Sequence, residues 1–186
     1  MAIKIIHNSP TIEALLVPYK EAVGKDYEAY RNHIYRVLTY ALHYLGPDHP
    51  NRREVEAALV FHDIGLWTAC NLAYLEPSII EMDNTLSRDH PELNRDIIGL
   101  AIYHHHKIFR FRGPHKAVVN AVRKADWIDS SQGLFRKGIS RADIRAVETA
   151  IPNAGFHEAL ERLCGSLNRG NKLGGAWQIW RRVYRW

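Results

Sequence analysis

The sequence has only two cysteines, Cys70 and Cys164, far apart and outside any CxxC spacing. That excludes a disulfide framework and a thiolate zinc knuckle, and it reads as the cysteine usage of a reducing compartment. Long apolar runs are also missing: nothing approaches the roughly 20 residues of a membrane span, and the apolar patch at 1–6 is too short for a leader's hydrophobic region. The chain is therefore expected to be soluble and cytoplasmic, with no membrane partner. Strand-like alternation of useful length, internal repeats and low-complexity tracts are absent too. The net charge of +5 is moderate; it favours anionic ligands without arguing for nucleic acid.

What is present is helical periodicity in a 186-residue chain with 46% hydrophobic content, long enough to bury a core as one domain. A short helix is expected over 12–17, broken near Pro18. A longer one runs over 26–45 with Asp26 as its cap and Tyr30, Ile34, Val37, Leu38, Ala41 and Leu45 as its stripe. Asn51 followed by Glu54 resembles a capping box for the next helix, which stops near Gly65. Pro77 suits the first turn of a helix to about 86. Another begins near Pro91, capped by Asp89 or Ser87, and Pro114 opens one to about 130. Ser140 with Asp143 caps a helix to 150, and 156–167 and 175–186 complete the chain. The fold class is all-α, a bundle of roughly eight or nine helices.

Chemistry concentrates at His62-Asp63, set in the apolar segment Leu59-Val60-Phe61-His62-Asp63-Ile64-Gly65-Leu66. Val55, Ala58, Leu59, His62 and Leu66 fall at i, i+3, i+4, i+7 and i+11, so His62 points toward the core. A buried imidazole beside a buried carboxylate is costly unless paired or coordinated. Mutual hydrogen bonding is one solution and a divalent cation is the other. His33 lies beside the stripe of the 26–45 helix. Asp126 lies at the edge of the face Val118, Ala121, Val122, Ala125 and Ile128, and Asp129 is one turn further on. Four helices can bring such residues to one point, as bundle-core metal sites do. Two imidazoles and two carboxylates suit Mn, Fe, Co, Ni, Mg or Zn, and the lack of thiolates argues against a closed structural zinc.

In the order His33, His62-Asp63, Asp126 the chain resembles the HD-domain superfamily of metal-dependent phosphohydrolases. His33-Ile34-Tyr35-Arg36-Val37, His62-Asp63-Ile64-Gly65 and Lys124-Ala125-Asp126 look like its three motif regions. The resemblance implies a single HD domain over 1–186, with a motif-bearing core at about 26–131 and a C-terminal helical extension at about 132–186. It further implies hydrolysis of a phosphate ester or anhydride, of a nucleotide or related small molecule, by metal-activated water, with His33, His62, Asp63 and Asp126 as ligands. Some relatives hold two metals through additional histidines and a bridging carboxylate from the HD pair. His90, His104 and His105 are the candidates for a second metal here, with His104 aimed inward and His106 facing away. A non-catalytic nucleotide-binding or regulatory module and a diiron oxygenase are the alternatives.

Asp63 is a candidate catalytic residue, and Glu76 and Asp83 are further candidates for proton transfer. Arg36, Lys107, Arg110 and Lys124 are candidates to bind substrate phosphate, since guanidinium geometry suits phosphate. The loop 107–116 interleaves basic residues with Phe109 and Phe111. The C-terminal Trp177, Trp180, Tyr184 and Trp186 are read as a helix docking on the core or on a second copy in a homodimer.

Overall fold

The computed structural model describes residues 2–184. Met1, Arg185 and Trp186 lie outside these, and with them the last two positions of the expected 175–186 helix and the start of the 1–6 patch. Helix α1 (Pro10–Leu16) and the short α2 (Lys20–Val23) precede α3 (Tyr27–Leu45), α4 (Arg52–Phe61) and the one-turn α5 (Gly65–Thr68). Then come α6 (Leu75–Asp89), α7 (Arg95–His104), α8 (Lys116–Ser130), α9 (Arg141–Ala150), α10 (Phe156–Ser166) and α11 (Lys172–Ile179), continued by a wider π-helical turn at Trp180–Tyr184. Eight of these helices have eight or more residues, and there is no strand among the described residues. The fold is all-α. No described helix is long and apolar enough to cross a membrane.

One apolar core runs from Ile6 to Val183. The 19-residue α3 is its axis, packed along α8 and crossed by α4, with residues from Ala29 to Leu42 buried over most of its circumference. A helix buried nearly all round must satisfy its polar side chains internally. Thus the Tyr30 hydroxyl donates to the Val60 carbonyl at 2.8 Å, and Thr39 Oγ1 accepts from the Ile6 amide at 3.1 Å. These bonds bring the N-terminal arm and α4 onto α3.

Several helix ends differ from the sequence reading, each for a local reason. Asp26 stands at the N-cap position of α3 but does not cap it; its carboxylate accepts from the Trp67 indole at 3.1 Å and pairs with Arg162 of α10. Asn51 likewise makes no side-chain cap on α4. The helix expected at Pro91 starts at Arg95, because Asn94 accepts from the amides of Asp96 and Ile97 while Leu93 closes a turn on the His90 carbonyl. Asp89 belongs to the last turn of α6 instead. Ser140 accepts from the Asp143 amide at 3.0 Å, as its spacing suggests.

Two glycines mark close backbone approaches. A Cβ on Gly65 would lie 2.6 Å from the Tyr74 carbonyl oxygen and 3.0 Å from the Ser78 amide nitrogen, so only glycine lets α5 touch the start of α6. A Cβ on Gly175 would collide with the Cys164 carbonyl, where α11 crosses α10. Since backbone cannot yield as a flexible side chain can, Gly65→Ala is expected to destabilise the protein by about 1–3 kcal/mol, read as a lower urea midpoint at unchanged slope. A midpoint equal to that of the native chain would show that the contact is not fixed.

Candidate metal centre

The bundle gathers six polar side chains. His33 comes from the second turn of α3, His62 and Asp63 from the turn between α4 and α5, and Asp126 from α8. His105 and His106 come from the turn just past α7. All six are buried. His33 Nε2 and His62 Nε2 are 2.9 Å apart. Asp63 Oδ2 lies 3.3 Å from His62 Nε2 and 3.8 Å from His33 Nε2, and Asp126 Oδ1 lies 3.7 Å and 3.6 Å from the same two atoms.

The other carboxylate oxygens turn the opposite way. Asp63 Oδ1 is 3.3 Å from His105 Nε2, and Asp126 Oδ2 is 2.9 Å from His106 Nδ1. Each aspartate therefore places one oxygen toward the His33–His62 pair and the other toward the His105–His106 pair. Three donor groups within 4.8 Å recur in this cluster: His33, His62 and Asp126; His62, Asp63 and His105; His105, His106 and Asp126. They are buried His/Asp groups able to hold a metal ion.

The outward nitrogens of three of the imidazoles are already engaged. His62 Nδ1 donates to the Leu59 carbonyl at 2.7 Å and His105 Nδ1 to the Ile102 carbonyl at 2.6 Å. His33 Nδ1 donates to Asp129 Oδ2 at 2.7 Å, and Arg36 grips Asp129 at 2.5 Å through Nε and 2.8 Å through Nη2. Because those acceptors carry no proton, they assign the Nδ1–H tautomer and leave Nε2 as a lone pair aimed inward, which is how metal-binding histidines are oriented. Phe156 stacks on the His33 ring at 4.1 Å and 12°, fixing its plane from α10.

Two such lone pairs 2.9 Å apart repel unless a cation lies between them. Without a metal, that cation is a proton. Burial opposes charging His62, yet the Asp63 and Asp126 carboxylates push its pKa up to about 9. Burial lowers His33, and burial together with His106 lowers His105 to about 4. Burial alone would raise Asp63 and Asp126, but the surrounding imidazoles hold both well below the usual carboxylate range. Asp129 is opposed by burial too and is brought to about 2 by His33 and Arg36. One proton does not satisfy the cluster. Asp63 Oδ1, His105 Nε2, His106 Nδ1 and both Asp126 oxygens are buried without a hydrogen bond of acceptable geometry, whereas such groups are nearly always partnered.

The structure redistributes the remaining candidates. His90 ends α6 with Nδ1 3.6 Å from Glu92 and stays outside the cluster. His104 is half-buried against Phe111 at 4.5 Å. His106, expected to face away, is buried with its Nδ1 at Asp126. The helical period ends at His104, where the Lys107 amide closes a turn, so extrapolating the period one step further fails. Glu76 is exposed on α6 and does not reach the site.

Of the expected phosphate ligands, Arg36 is taken up by Asp129 and by the Ile151 and Pro152 carbonyls. Lys107 Nζ donates to the Val183 carbonyl at 3.0 Å, and Lys124 sits 3.6 Å over the Tyr44 ring. Arg110 is exposed in an outer groove. The C-terminal turn rests on the core through Val183, and Tyr184 stacks on His106 at 4.7 Å, whereas Trp177 and Trp180 stack on each other at the surface.

No family model, curated protein or solved structure matches the chain. Any functional reading therefore rests on the donor set and its surroundings. Removing the Asp129 carboxylate while keeping its shape is expected to weaken metal binding, so Asp129→Asn should lower divalent-metal affinity about 10- to 100-fold by isothermal titration, with His90→Ala and His104→Ala unchanged. Equal affinity in Asp129→Asn and the native protein would contradict the assigned orientation of His33.

Proposed function

We propose that this chain is a metal-dependent phosphohydrolase of the HD type, and that the observation supporting it best is the set of five unpartnered buried atoms on Asp63, His105, His106 and Asp126. In this reading His33, His62, Asp63 and Asp126 would hold one divalent ion, and His105 and His106, with the same two aspartates, would hold a further one. Two carboxylates would offset half the charge of two divalent ions, and together with the imidazoles they suit hard or borderline metals such as Mn, Fe, Co, Ni, Mg or Zn. When bound, divalent metal supplies an acidified water and neutralises a phosphoryl oxygen, the two requirements of attack on phosphorus.

The chain's own part is positional. Asp129 holds the proton on His33 Nδ1, and the Leu59 and Ile102 carbonyls do the same for His62 and His105, so that three Nε2 atoms are aimed at the cluster, where a metal would displace the proton that His62 holds without one. Phe156, Tyr184 and residues of α10 and α11 line the cavity over the cluster, whose six donor residues are buried. A lower dielectric strengthens charge interactions within such a site.

Because every donor in the cluster also suits iron, and both aspartates face two imidazole pairs, a diiron oxygenase is the second reading. Phosphate release and oxygen consumption separate the two. The metal-reconstituted protein is expected to release phosphate from phosphate esters and to lose at least a thousandfold in rate with Asp63→Ala. Oxygen uptake without phosphate release would select the second reading. Chelation is expected to lower Tm by roughly 5–10 °C, from ligand linkage at metal concentrations near a hundred times Kd; an unchanged Tm would count against a resident metal.

A further inference from the structure

A cavity of about 320 Å³ opens over the cluster. That is near the small end of the roughly 300–1,000 Å³ range of small-molecule sites. His33, Asp63, His106 and Asp126 form its polar floor. Its walls are mostly apolar: Leu66, Phe156, Leu160, Leu163, Ile179 and Trp180. Among the described residues that line it there is no lysine or arginine.

The described cations near the site are placed elsewhere. Arg36 is held by Asp129 behind His33, and Lys107 reaches the Val183 carbonyl. Arg110, Arg112 and Arg181 line a separate groove of about 630 Å³, with Trp180 and Tyr184 common to both cavities. Charge is thus concentrated on the floor of the inner cavity and apolar surface on its walls. A single phosphoryl group on the floor meets the ligand cluster. Additional phosphates along the walls would be desolvated against leucine and isoleucine with no lysine or arginine among the described lining residues to offset them, which is strongly unfavourable.

We propose that the substrate is a phosphate monoester of a small apolar alcohol, with its one phosphoryl group at the His/Asp cluster and its organic group against Leu66, Leu160, Leu163 and Ile179. This rests on the phosphohydrolase reading and narrows it. Water adds to phosphorus, the P–O bond to the alcohol breaks, and the alcohol leaves with a proton, giving inorganic phosphate.

The test compares methyl, butyl and hexyl phosphate with AMP and ATP on the metal-reconstituted protein. Each methylene buried contributes roughly fourfold in binding, so kcat/KM is expected to rise at least tenfold from methyl to hexyl phosphate, and hexyl phosphate to exceed both nucleotides. Ile179 is only partly buried, so Ile179→Trp should fold while narrowing the cavity, and it should bring the hexyl-to-methyl ratio below threefold. Thermal shifts with the non-hydrolysable methyl- and hexylphosphonates read the cavity separately from turnover. A larger shift with hexylphosphonate supports the apolar site even if no ester is hydrolysed, in which case the hydrolase reading alone fails. Preference for ATP overturns the apolar-substrate inference and leaves the hydrolase reading standing. Equal shifts with the two phosphonates, or a hexyl-to-methyl ratio near one in the native protein, also overturn the inference.

Discussion

Two carboxylates buried beside four imidazoles set the terms for the rest of the molecule. Asp63 and Asp126 lie in the interior of the bundle with three of their four oxygens lacking a hydrogen bond. Leaving ionised carboxylates in such a place is expensive unless positive charge is close. The protonated His62 offsets part of the cost, and a divalent cation held among the six donors would offset more.

The helices arrange that requirement with little freedom. Packing α3 along α8 sets His33 opposite both Asp126 and Asp129, and the turns after α4 and α7 deliver His62, Asp63, His105 and His106 from the other side. Gly65 permits the tight passage that keeps the Asp63 turn close to α6. Arg36 and Asp129 form a buried ion pair behind His33, so the groups that orient this imidazole are themselves held in place. The C-terminal helices then close the cavity, with Phe156 and Tyr184 each stacked on a cluster histidine.

How much of this could be read from the chain follows from what each signal encodes. The all-α class is legible because apolar stripes repeat at helical spacing over most of the length. His33, His62 and Asp126 are legible because they stand on or beside such stripes, and Asp63 because it follows His62. His106 is not, since it lies past the end of α7, where the period no longer applies. Arg36 resembles a phosphate ligand by proximity to His33; its actual partner is 93 residues away, a separation that local pattern does not report. The same holds for Asp26, whose capping position is visible while its pairing with Trp67 and Arg162 is not. The apolar roof over the cluster is built by α10, α11 and the turn after it, whose place above the cluster no single-helix pattern reports.

The decisive experiment is anomalous diffraction from crystals grown with manganese. Strong peaks are expected between Asp63 and Asp126, one beside the His33–His62 pair and one beside the His105–His106 pair. Well-ordered crystals with manganese bound elsewhere and no peak within the cluster would show that these six side chains are not a metal centre.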